Sequence, residues 1–425
     1  MTLGPRTFAP ILAAFMVLWP IIGYMGAQGY TGAVALTALL GLFYVRVRDI
    51  RFYVIACAAF VLWTVAAGSW APVSKDLITG DMLAGSFSMD MPAIRFALTA
   101  LAGLGTMVAI WAVATRSSRI SLGVIVGAGL AQFFSVIVTA LFMPQILNLL
   151  APISDPVGEM PQNLLRNANS FSLLMPFLLA WMWHERAGDY WRLFAVGMVL
   201  MAFAAFGQTG TQTAMVGTGV MLLCMAIVKL APKHGLRIIF STLALYIATA
   251  PLLIGAGIRL VKATAMPLPE SFFSRLYCWE YVRAKIEGAP FLGHGPEASH
   301  MWKDSYADHP EWLADGIARY GDAIAWEAYP IVPIHPHNMP LQVWAETGMI
   351  GASLAAIFVL FLGWRLKAPQ EWPPTARYAA AGLIGICFSL SSFSLSMWNE
   401  AYWASVVLAA GVILLQARHK TGASG

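Results

Sequence analysis

The residues of this chain best suited to chemistry are two histidines on either side of a proline, in the sequence His335-Pro336-His337-Asn338. Histidine has an unperturbed pKa of about 6.5, so much of it is neutral near pH 7 and can accept a proton. A neutral histidine beside a substrate hydroxyl acts as a general base. On the residues alone, His337 is equally well such a base or a residue that caps the following helix through a backbone hydrogen bond.

The two histidines lie at the end of a long polar and aromatic segment, residues 262–337, in a chain that is otherwise largely apolar. Polar surface of this extent has to lie outside the lipid. Apolar sequence resumes at Met339 and continues to Leu366, so we expect the loop to return into the bilayer at the histidines. Lipid-linked substrates present their head groups at this depth, which makes it the expected place for chemistry.

Composition and hydropathy identify the broad class of protein. Hydrophobic residues form 59% of the chain and charged residues 11%, whereas a soluble domain has about 25% charged residues. We predict an all-α polytopic membrane protein with about 12 transmembrane helices of about 20 residues and one long periplasmic loop containing short helices. The predicted spans are 8–25, 31–45, 52–71, 96–115, 120–143, 171–183, 193–206, 213–230, 238–261, 339–364, 378–398 and 402–416.

The distribution of charge tests this topology independently of hydropathy. If the N-terminus is cytoplasmic, 16 of the 26 basic residues and only four of the 21 acidic residues fall in cytoplasmic segments. The positive-inside rule predicts such a bias. With this topology the chain has three parts. They are transmembrane helices 1–9 at 1–261, the periplasmic loop at 262–337, and transmembrane helices 10–12 with a cytoplasmic tail at 338–425. The net charge of +5 therefore reflects membrane topology, and no nucleic-acid partner is expected.

Order within the periplasmic loop has to come from helices packed on the membrane domain. Cys278 is the only cysteine in the loop, so no disulfide framework can form there. Apolar residues at helical spacing predict helices at 270–287 and around 311–320. The sequence Gly293-His294-Gly295-Pro296 lies among prolines and predicts a turn rather than a nucleotide-binding loop.

Metal chemistry is suggested by the number of histidines in the loop but not by their spacing. No familiar zinc-binding pattern is matched by His294, His300, His309, His335 and His337. We expect the last two to point the same way from an extended stretch. Neither a metal ion nor another cofactor is predicted. Because no ATP is available outside the cytoplasm, a group-transfer enzyme there must use a substrate that is already activated.

Three motifs resemble those of the O-antigen ligase and polymerase superfamily. The first begins at the histidines and reads His335-Pro336-His337-Asn338 followed by Leu341-Gln342-x-Trp344-x-Glu346-x-Gly348-x-x-Gly351. The second lies in the loop and reads Ser274-Arg275-x-x-x-Trp279 followed by Pro290-Phe291-Leu292-Gly293-x-Gly295. The third precedes a middle span and reads Arg166-Asn167-Ala168-Asn169-Ser170-Phe171.

The resemblance implies a bacterial inner-membrane enzyme that transfers a glycan from undecaprenyl diphosphate at the periplasmic face. It further implies inversion at the anomeric carbon without a metal ion, with His337 as the general base and Arg275 holding the diphosphate. For Arg275 the alternative is an exposed helix arginine that pairs with Glu270 or with solvent. Arg166 is a further candidate for binding the donor.

One departure from the family pattern concerns the charge that binds the donor. The resemblance places an arginine where this chain has Gln212, and an uncharged amide is a weaker diphosphate partner than a guanidinium. We expect Arg166, Arg259 or Arg275 to supply the missing charge. Arg259 lies late in an apolar span, so it either faces a cavity or extends its side chain to the membrane interface.

Polar residues at the start of the tenth predicted span recur on one helix face: Asn338, Gln342 and Glu346. We expect Asn338 and Gln342 to contact the donor or to orient His337, although polar contacts between helices explain the same spacing. Loop aromatics either stack on sugar rings or anchor the loop at the membrane. They are Tyr277, Trp279, Trp302, Tyr306, Trp312, Tyr320, Trp326 and Tyr329.

Together these features predict an O-antigen ligase-type glycosyltransferase that joins a lipid-carried polysaccharide to an acceptor hydroxyl, with lipid A-core as the favoured acceptor. Membrane lipids are its other expected partners. The residues do not distinguish this ligase from two other enzymes of the same superfamily, a polymerase of the lipid-linked glycan and a protein O-oligosaccharyltransferase. A polysaccharide transporter or flippase would show charges buried in mid-span and two similar halves. A scaffold protein leaves the histidines unexplained.

Overall fold

The computed structural model describes residues 29–41, 52–72, 91–113, 119–152, 159–186, 188–264, 266, 268, 270–306, 312–313, 330–365 and 372–421. These residues are mostly α-helical, as the sequence predicts. The helices in this part of the chain are α1 (Gly29–Gly41), α2 (Phe52–Ala67), α3 (Pro92–Val113), α4 (Arg119–Leu150), α5 (Glu159–His184), α6 (Asp189–Gln208), α7 (Gln212–Leu230), α8 (Gly235–Thr264), α9 (Glu270–Gly288), α10 (Met339–Arg365), α11 (Pro374–Phe393) and α12 (Glu400–Thr421). Short 3-10 helices lie at Gly68–Trp70 and Ala298–Met301.

Eight of these helices are long and apolar enough to cross a membrane: α3, α4, α6, α7, α8, α10, α11 and α12. Apolar sequence of this length becomes helix because a helix satisfies all its backbone polar groups internally, as lipid requires. Each of the eight coincides with one predicted span. The chain is therefore a multi-pass membrane protein.

The other four predicted spans have different outcomes. Those predicted at 31–45 and 52–71 coincide with shorter apolar helices at 29–40 and 55–70. The span predicted at 171–183 lies within α5, a helix of 26 residues. The span predicted at 8–25 lies outside the described residues. The structure thus shows eight candidate spans in the part of the chain that it describes, and a total of twelve stays a prediction.

Close backbone packing and buried hydrogen bonds hold the helices together. Between α7 and α11, a Cβ on Gly385 would lie 2.8 Å from the backbone of Met221. Between α4 and α5, Gln132 Nε2 donates to Asn167 Oδ1 at 3.2 Å, and Asn167 Nδ2 donates to Ser135 at 3.1 Å. Helices in lipid associate through such contacts because burial from lipid provides no hydrophobic driving force.

The length of α8 positions the loop that follows it. α7 has 19 residues and α8 has 30, and a turn at 231–234 joins them. At 1.5 Å per residue the two helices are about 28 Å and 45 Å long, so the last part of α8 extends beyond the start of α7. α9 packs along this extension, where Lys262 pairs with Glu280 at 2.7 Å. The helix predicted at 270–287 is confirmed as α9, whereas most of 311–320 lies outside the described residues.

The predicted turn at residues 293–296 is confirmed, since Gly293 and Gly295 have positive φ angles of 71° and 92°. It docks where α10 is interrupted at Gly348, which has a φ of 67°. There His294 N–H donates to Ala345 O at 2.9 Å, and Gly295 N–H donates to Glu346 O at 2.8 Å. The loop thereby satisfies carbonyl groups of α10 next to the interruption.

Candidate functional site

The two predicted histidines lie side by side. Their ring centroids are 4.4 Å apart, and both side chains are partly buried. The prediction of an extended stretch is wrong at His337, whose φ of 51° lies in the left-handed region. Histidine enters that region more readily than most residues, and backbone strain of this kind recurs at functional sites. The turn brings His337 N–H to 3.1 Å from His335 Nδ1.

A backbone carbonyl sets the tautomer of His337. Its Nδ1 lies 2.9 Å from the oxygen of Ser394, directly after α11. Because a carbonyl only accepts hydrogen bonds, Nδ1 carries the proton, and Nε2 of the neutral ring has a free lone pair. Burial lowers the pKa of His337, the bond to Ser394 raises it, and the charge of Arg275 lowers it, with a net downward shift. The ring is therefore neutral near pH 7, as a general base must be.

His335 presents the complementary atom. Its Nδ1 accepts the backbone N–H of His337, so the proton of its neutral ring is on Nε2. Burial, with a smaller contribution from His337, lowers the pKa of His335 to about 3. The adjacent rings thus offer one proton acceptor and one proton donor to a bound substrate.

Arg275 reaches the same site from α9. Its guanidinium lies 6.0 Å from the ring centroid of Phe272, and its charge acts on His337. One turn further along α9, Trp279 Nε1 donates to Pro336 O at 2.8 Å and ties the helix to the histidine segment. Burial lowers the pKa of Arg275, but a guanidinium keeps its proton at neutral pH. The structure therefore brings a fixed cation close to a neutral base.

Asn338 and Gln342 are buried, and their polar atoms form hydrogen bonds with other groups of the protein. Asn338 Nδ2 donates to Tyr246 at 3.0 Å and to Ser392 O at 3.1 Å. Gln342 Oε1 accepts the N–H of Met397 at 2.9 Å. Both side chains thus fasten α10 to α8, to the end of α11 and to the segment before α12. Polar contacts between helices were the second explanation that the sequence allowed for the spacing of these residues.

Glu346, on the same face of α10, is fully buried at the centre of a hydrogen-bond network. Its carboxyl group accepts from Ser299 Oγ at 2.5 Å and from Trp398 Nε1 at 2.5 Å. It also accepts from Glu297 N–H at 2.8 Å and from Gln342 Nε2 at 3.2 Å. The network joins the loop, α10 and the segment before α12. Its partners could not be identified from the spacing, because most of them are distant in sequence.

The other predicted donor-binding residues are exposed. Gln212 is the exposed first residue of α7, and the next residue, Thr213, accepts a hydrogen bond from Ser389 near the end of α11. Arg259 is exposed on α8, which favours the interfacial alternative over a buried cavity. Arg166 is exposed on α5. Only Arg275 of the predicted arginines is partly buried at the histidines.

The aromatic side chains of the loop largely pack among themselves in the region that the structure describes. Trp279 and Tyr306 are buried, and Tyr277 packs on Tyr306 at 5.6 Å and on Trp312 at 6.2 Å between ring centroids. Tyr306 also donates to Ser274 O at 3.0 Å. These rings stabilise the loop against α9. Tyr320, Trp326 and Tyr329 lie outside the described residues.

Four of the five loop histidines lie within the described residues, and His309 lies outside them. Among the residues described, no three side chains of the ligating types are grouped closely enough to hold a metal ion. His294 Nε2 instead contacts Lys285 O at 2.9 Å, and its ring packs edge-on against Trp302.

One arginine that the sequence analysis did not single out occupies the cleft between α8 and α9. The guanidinium of Arg283 lies directly against Gly255, and its buried Nε has no hydrogen-bond partner among the described residues. Arg283 follows Arg275 by eight residues on α9 and belongs to none of the three motifs. The helical spacing from Arg275 was the only signal that could have indicated it.

Comparison with known protein families gives a match over this site. The family model described as O-antigen ligase matches residues 196–356, a segment that runs from within α6 to within α10. It contains the histidine pair, Arg275 and the docked turn, whereas Arg166 precedes it. No curated protein matches the chain.

Proposed function

We propose that this chain, whose residues 196–356 match the family model described as O-antigen ligase, belongs to that superfamily and transfers a glycan from undecaprenyl diphosphate to an acceptor hydroxyl. Members of this family are glycosyltransferase-like enzymes that act on lipid-linked glycans. The observation that carries the proposal is the neutral His337, with Nε2 unprotonated, close to the cationic Arg275. We further propose lipid A-core as the acceptor and the periplasmic face of the bacterial inner membrane as the place of reaction.

The proposed step is a single displacement at the anomeric carbon. The acceptor hydroxyl oxygen forms a bond to that carbon while its proton passes to His337 Nε2. The bond between the anomeric carbon and the diphosphate oxygen breaks, and undecaprenyl diphosphate leaves with the electron pair. Attack from the side opposite the leaving group inverts the anomeric configuration.

Arg275 stabilises the negative charge that develops on the leaving diphosphate. A guanidinium suits this role because its planar array of donors matches two phosphate oxygens at once. A preorganised cation in a partly buried site stabilises such charge more than the same cation in water. The activated diphosphate supplies the driving force, so the proposed reaction uses no ATP. Arg275 neutralises the leaving group, the role that a metal ion would otherwise have.

The neighbouring residues have supporting roles in this proposal. His335 Nε2–H is available to donate to a substrate oxygen beside the base. Asn338 and Gln342 hold α10 against the end of α11, where Ser394 fixes the His337 ring. In this proposal they support donor binding by maintaining the shape of the site and do not contact the donor.

The test is glycan transfer by the purified protein in detergent, from undecaprenyl-diphosphate glycan to lipid A-core in the presence of EDTA. We expect product with inverted anomeric configuration, as read from NMR coupling constants, and transfer at least about a hundredfold slower with His337→Ala. Retained configuration, a requirement for the metal that EDTA removes, or full activity of His337→Ala would contradict the mechanism.

The identity of the acceptor is tested by substitution in the same assay. A second lipid-linked glycan as the preferred acceptor would indicate a polymerase, and a serine or threonine peptide would indicate protein glycosylation. Movement of the intact lipid-linked glycan across vesicles without covalent transfer would indicate a flippase and would overturn the proposal.

A further inference from the structure

The linker between α11 and α12, residues 394–399, carries the carbonyl group that fixes the base. It begins at Ser394, whose oxygen lies 2.9 Å from His337 Nδ1. The next N–H, that of Leu395, donates to Leu390 O at 3.0 Å. The C=O and N–H of a trans peptide point in opposite directions, so this bond aims the Ser394 carbonyl away from α11 and toward His337. Whatever holds the linker in place therefore also holds the base.

Two residues on one face of α10 bond to the linker. Gln342 Oε1 accepts the N–H of Met397 at 2.9 Å. Glu346, one turn later, accepts from Trp398 Nε1 at 2.5 Å. Residues four apart on a helix lie on the same face, so the two bonds act side by side. Together they press the linker against α10 within a few residues of Ser394.

Glu346 also sets the orientation of the Gln342 amide. Gln342 Nε2 donates to Glu346 Oε1 at 3.2 Å, which turns the NH2 group of the amide toward the carboxyl group. The amide oxygen is then left to face the N–H of Met397. An amide turned the other way would present its NH2 group to that N–H, and two donors cannot bond to each other. Glu346 thus holds the linker twice, directly at Trp398 and through Gln342 at Met397.

The carboxyl group of Glu346 serves only as an acceptor in this network. Its Oε1 accepts from Ser299 Oγ at 2.5 Å and from Gln342 Nε2 at 3.2 Å. Its Oε2 accepts from Trp398 Nε1 at 2.5 Å and from Glu297 N–H at 2.8 Å. A glutamine in the same place would have to turn its NH2 group toward two donors, whichever way its amide lay. Two of the donors belong to the loop, and the other two control the linker.

We infer that Glu346 is a positioning residue for the general base. Through Trp398 and Gln342 it holds the linker. The carbonyl group of Ser394 then keeps the proton of His337 on Nδ1 and leaves Nε2 free to accept. Glu346 is fully buried and bonded to protein groups, so it acts through these partners and not on a substrate. The inference rests on the proposed function and adds a residue to which that function gives no role.

The first test compares Glu346→Gln with Glu346→Asp in glycan transfer, with rates divided by the number of sites that bind undecaprenyl diphosphate. A reacting group displaced by about 1 Å can cost about a hundredfold in rate. We expect Glu346→Gln to lower kcat by at least about tenfold and to change the KM for the lipid-linked glycan by less than about threefold. Glu346→Asp should recover part of kcat, because it keeps two acceptor oxygens. A rise in KM with kcat unchanged would contradict the inference.

Side-chain 15N NMR of the histidines tests the ring itself. A ring nitrogen that carries a proton has a different chemical shift from one that does not, and the spectrum of His337→Ala identifies the His337 signals. We expect Nδ1 to be protonated in the wild-type protein and both tautomers to be present in Glu346→Gln. The wild-type tautomer alone in Glu346→Gln would overturn the inference.

A matched pair of variants separates the linker from the loop. Trp398→Phe removes a donor to Glu346 on the linker side, and Ser299→Ala removes one on the loop side. We expect Trp398→Phe to lower kcat per binding site by about threefold or more, as the loss of one hydrogen bond predicts, and Ser299→Ala to change it less than about twofold. The melting temperature of each variant shows separately what the network contributes to stability.

Equal losses of kcat in the two variants would overturn the inference, because the loop side does not lead to the base. Losses confined to the melting temperature and to the number of binding sites would also overturn it, since they would show a role in the fold alone. Failure of the proposed function looks different. His337→Ala would then transfer glycan at the wild-type rate, whatever the variants of Glu346 do.

Discussion

The imidazole of His337 is fixed by the backbone of Ser394, with 2.9 Å between Nδ1 and the carbonyl oxygen. The bond crosses from the segment before α10 to the residue directly after α11. Since it assigns the ring proton to Nδ1, it also determines that Nε2 is the atom available for proton transfer. The basicity of the site thus depends on how the end of α11 packs.

The first prediction concerns the two histidines. His337→Ala should lower the rate of glycan transfer by about a hundred- to ten-thousand-fold, the usual effect of removing a positioned general base. His335→Ala should have a smaller effect, because its ring supplies a donor and not the base. Transfer rates of purified variants check this, with undecaprenyl diphosphate binding as the control for an intact site. Comparable losses in the two variants would contradict the assignment.

The second prediction concerns Arg275. Arg275→Ala should lower donor use by at least about tenfold, because truncating a charge-assisted contact to a buried anion costs about 2 to 5 kcal/mol. Arg275→Lys should retain part of the activity, since the charge remains while the planar donor array is lost. The ratio kcat/KM for the lipid-linked donor is the measurement. If Arg275→Ala is present in the membrane at the wild-type level and has the wild-type kcat/KM, Arg275 has no role in donor use.

The third prediction concerns pH. The base must be unprotonated, and the pKa of His337 is lowered by burial and by the charge of Arg275. Activity should therefore persist below pH 6.5 and fall only when the pH drops through this lowered value. Arg275→Ala removes a positive charge, which raises the pKa of His337 and moves the acidic limb of kcat/KM to higher pH. Arg275→Lys should leave the limb near its original position.

The fourth prediction concerns the docked turn. Gly293→Ala should destabilise the protein by about 1 to 3 kcal/mol, because its φ is positive and a Cβ would meet the backbone of Glu346 and Gly348 at 2.5 Å. Gly288→Ala, at the end of α9, is the matched control, since a Cβ there meets nothing within 4 Å. Thermal unfolding in detergent should separate them. Equal melting temperatures would show that the turn does not support the fold.

The fifth prediction concerns topology. A reporter that is active only in the periplasm should be active when fused after Trp312 and inactive when fused after Lys233. The basis is the excess of basic residues in the segments assigned to the cytoplasm. A cytoplasmic reporter should give the opposite pattern. Reversed signals would place the histidines on the wrong side for a donor glycan that faces outward.

Apolar sequence by itself determined the helical membrane class of this protein. Every span has to satisfy its own backbone hydrogen bonds, so a helix follows from about 20 apolar residues without knowledge of their neighbours. The same local logic predicted α9 and the turn at Gly293 and Gly295. Motif spacing also singled out His337 and Arg275, although not the distance between them.

Tertiary structure alone decided what these residues contact. The tautomer of His337 depends on Ser394, the role of Glu346 depends on Ser299 and Trp398, and the position of Arg283 depends on a glycine of another helix. Periodicity shows which face a residue occupies, but the rotation and depth of packed helices decide which side chains meet across them. Such contacts between residues far apart in sequence leave no signal in local spacing.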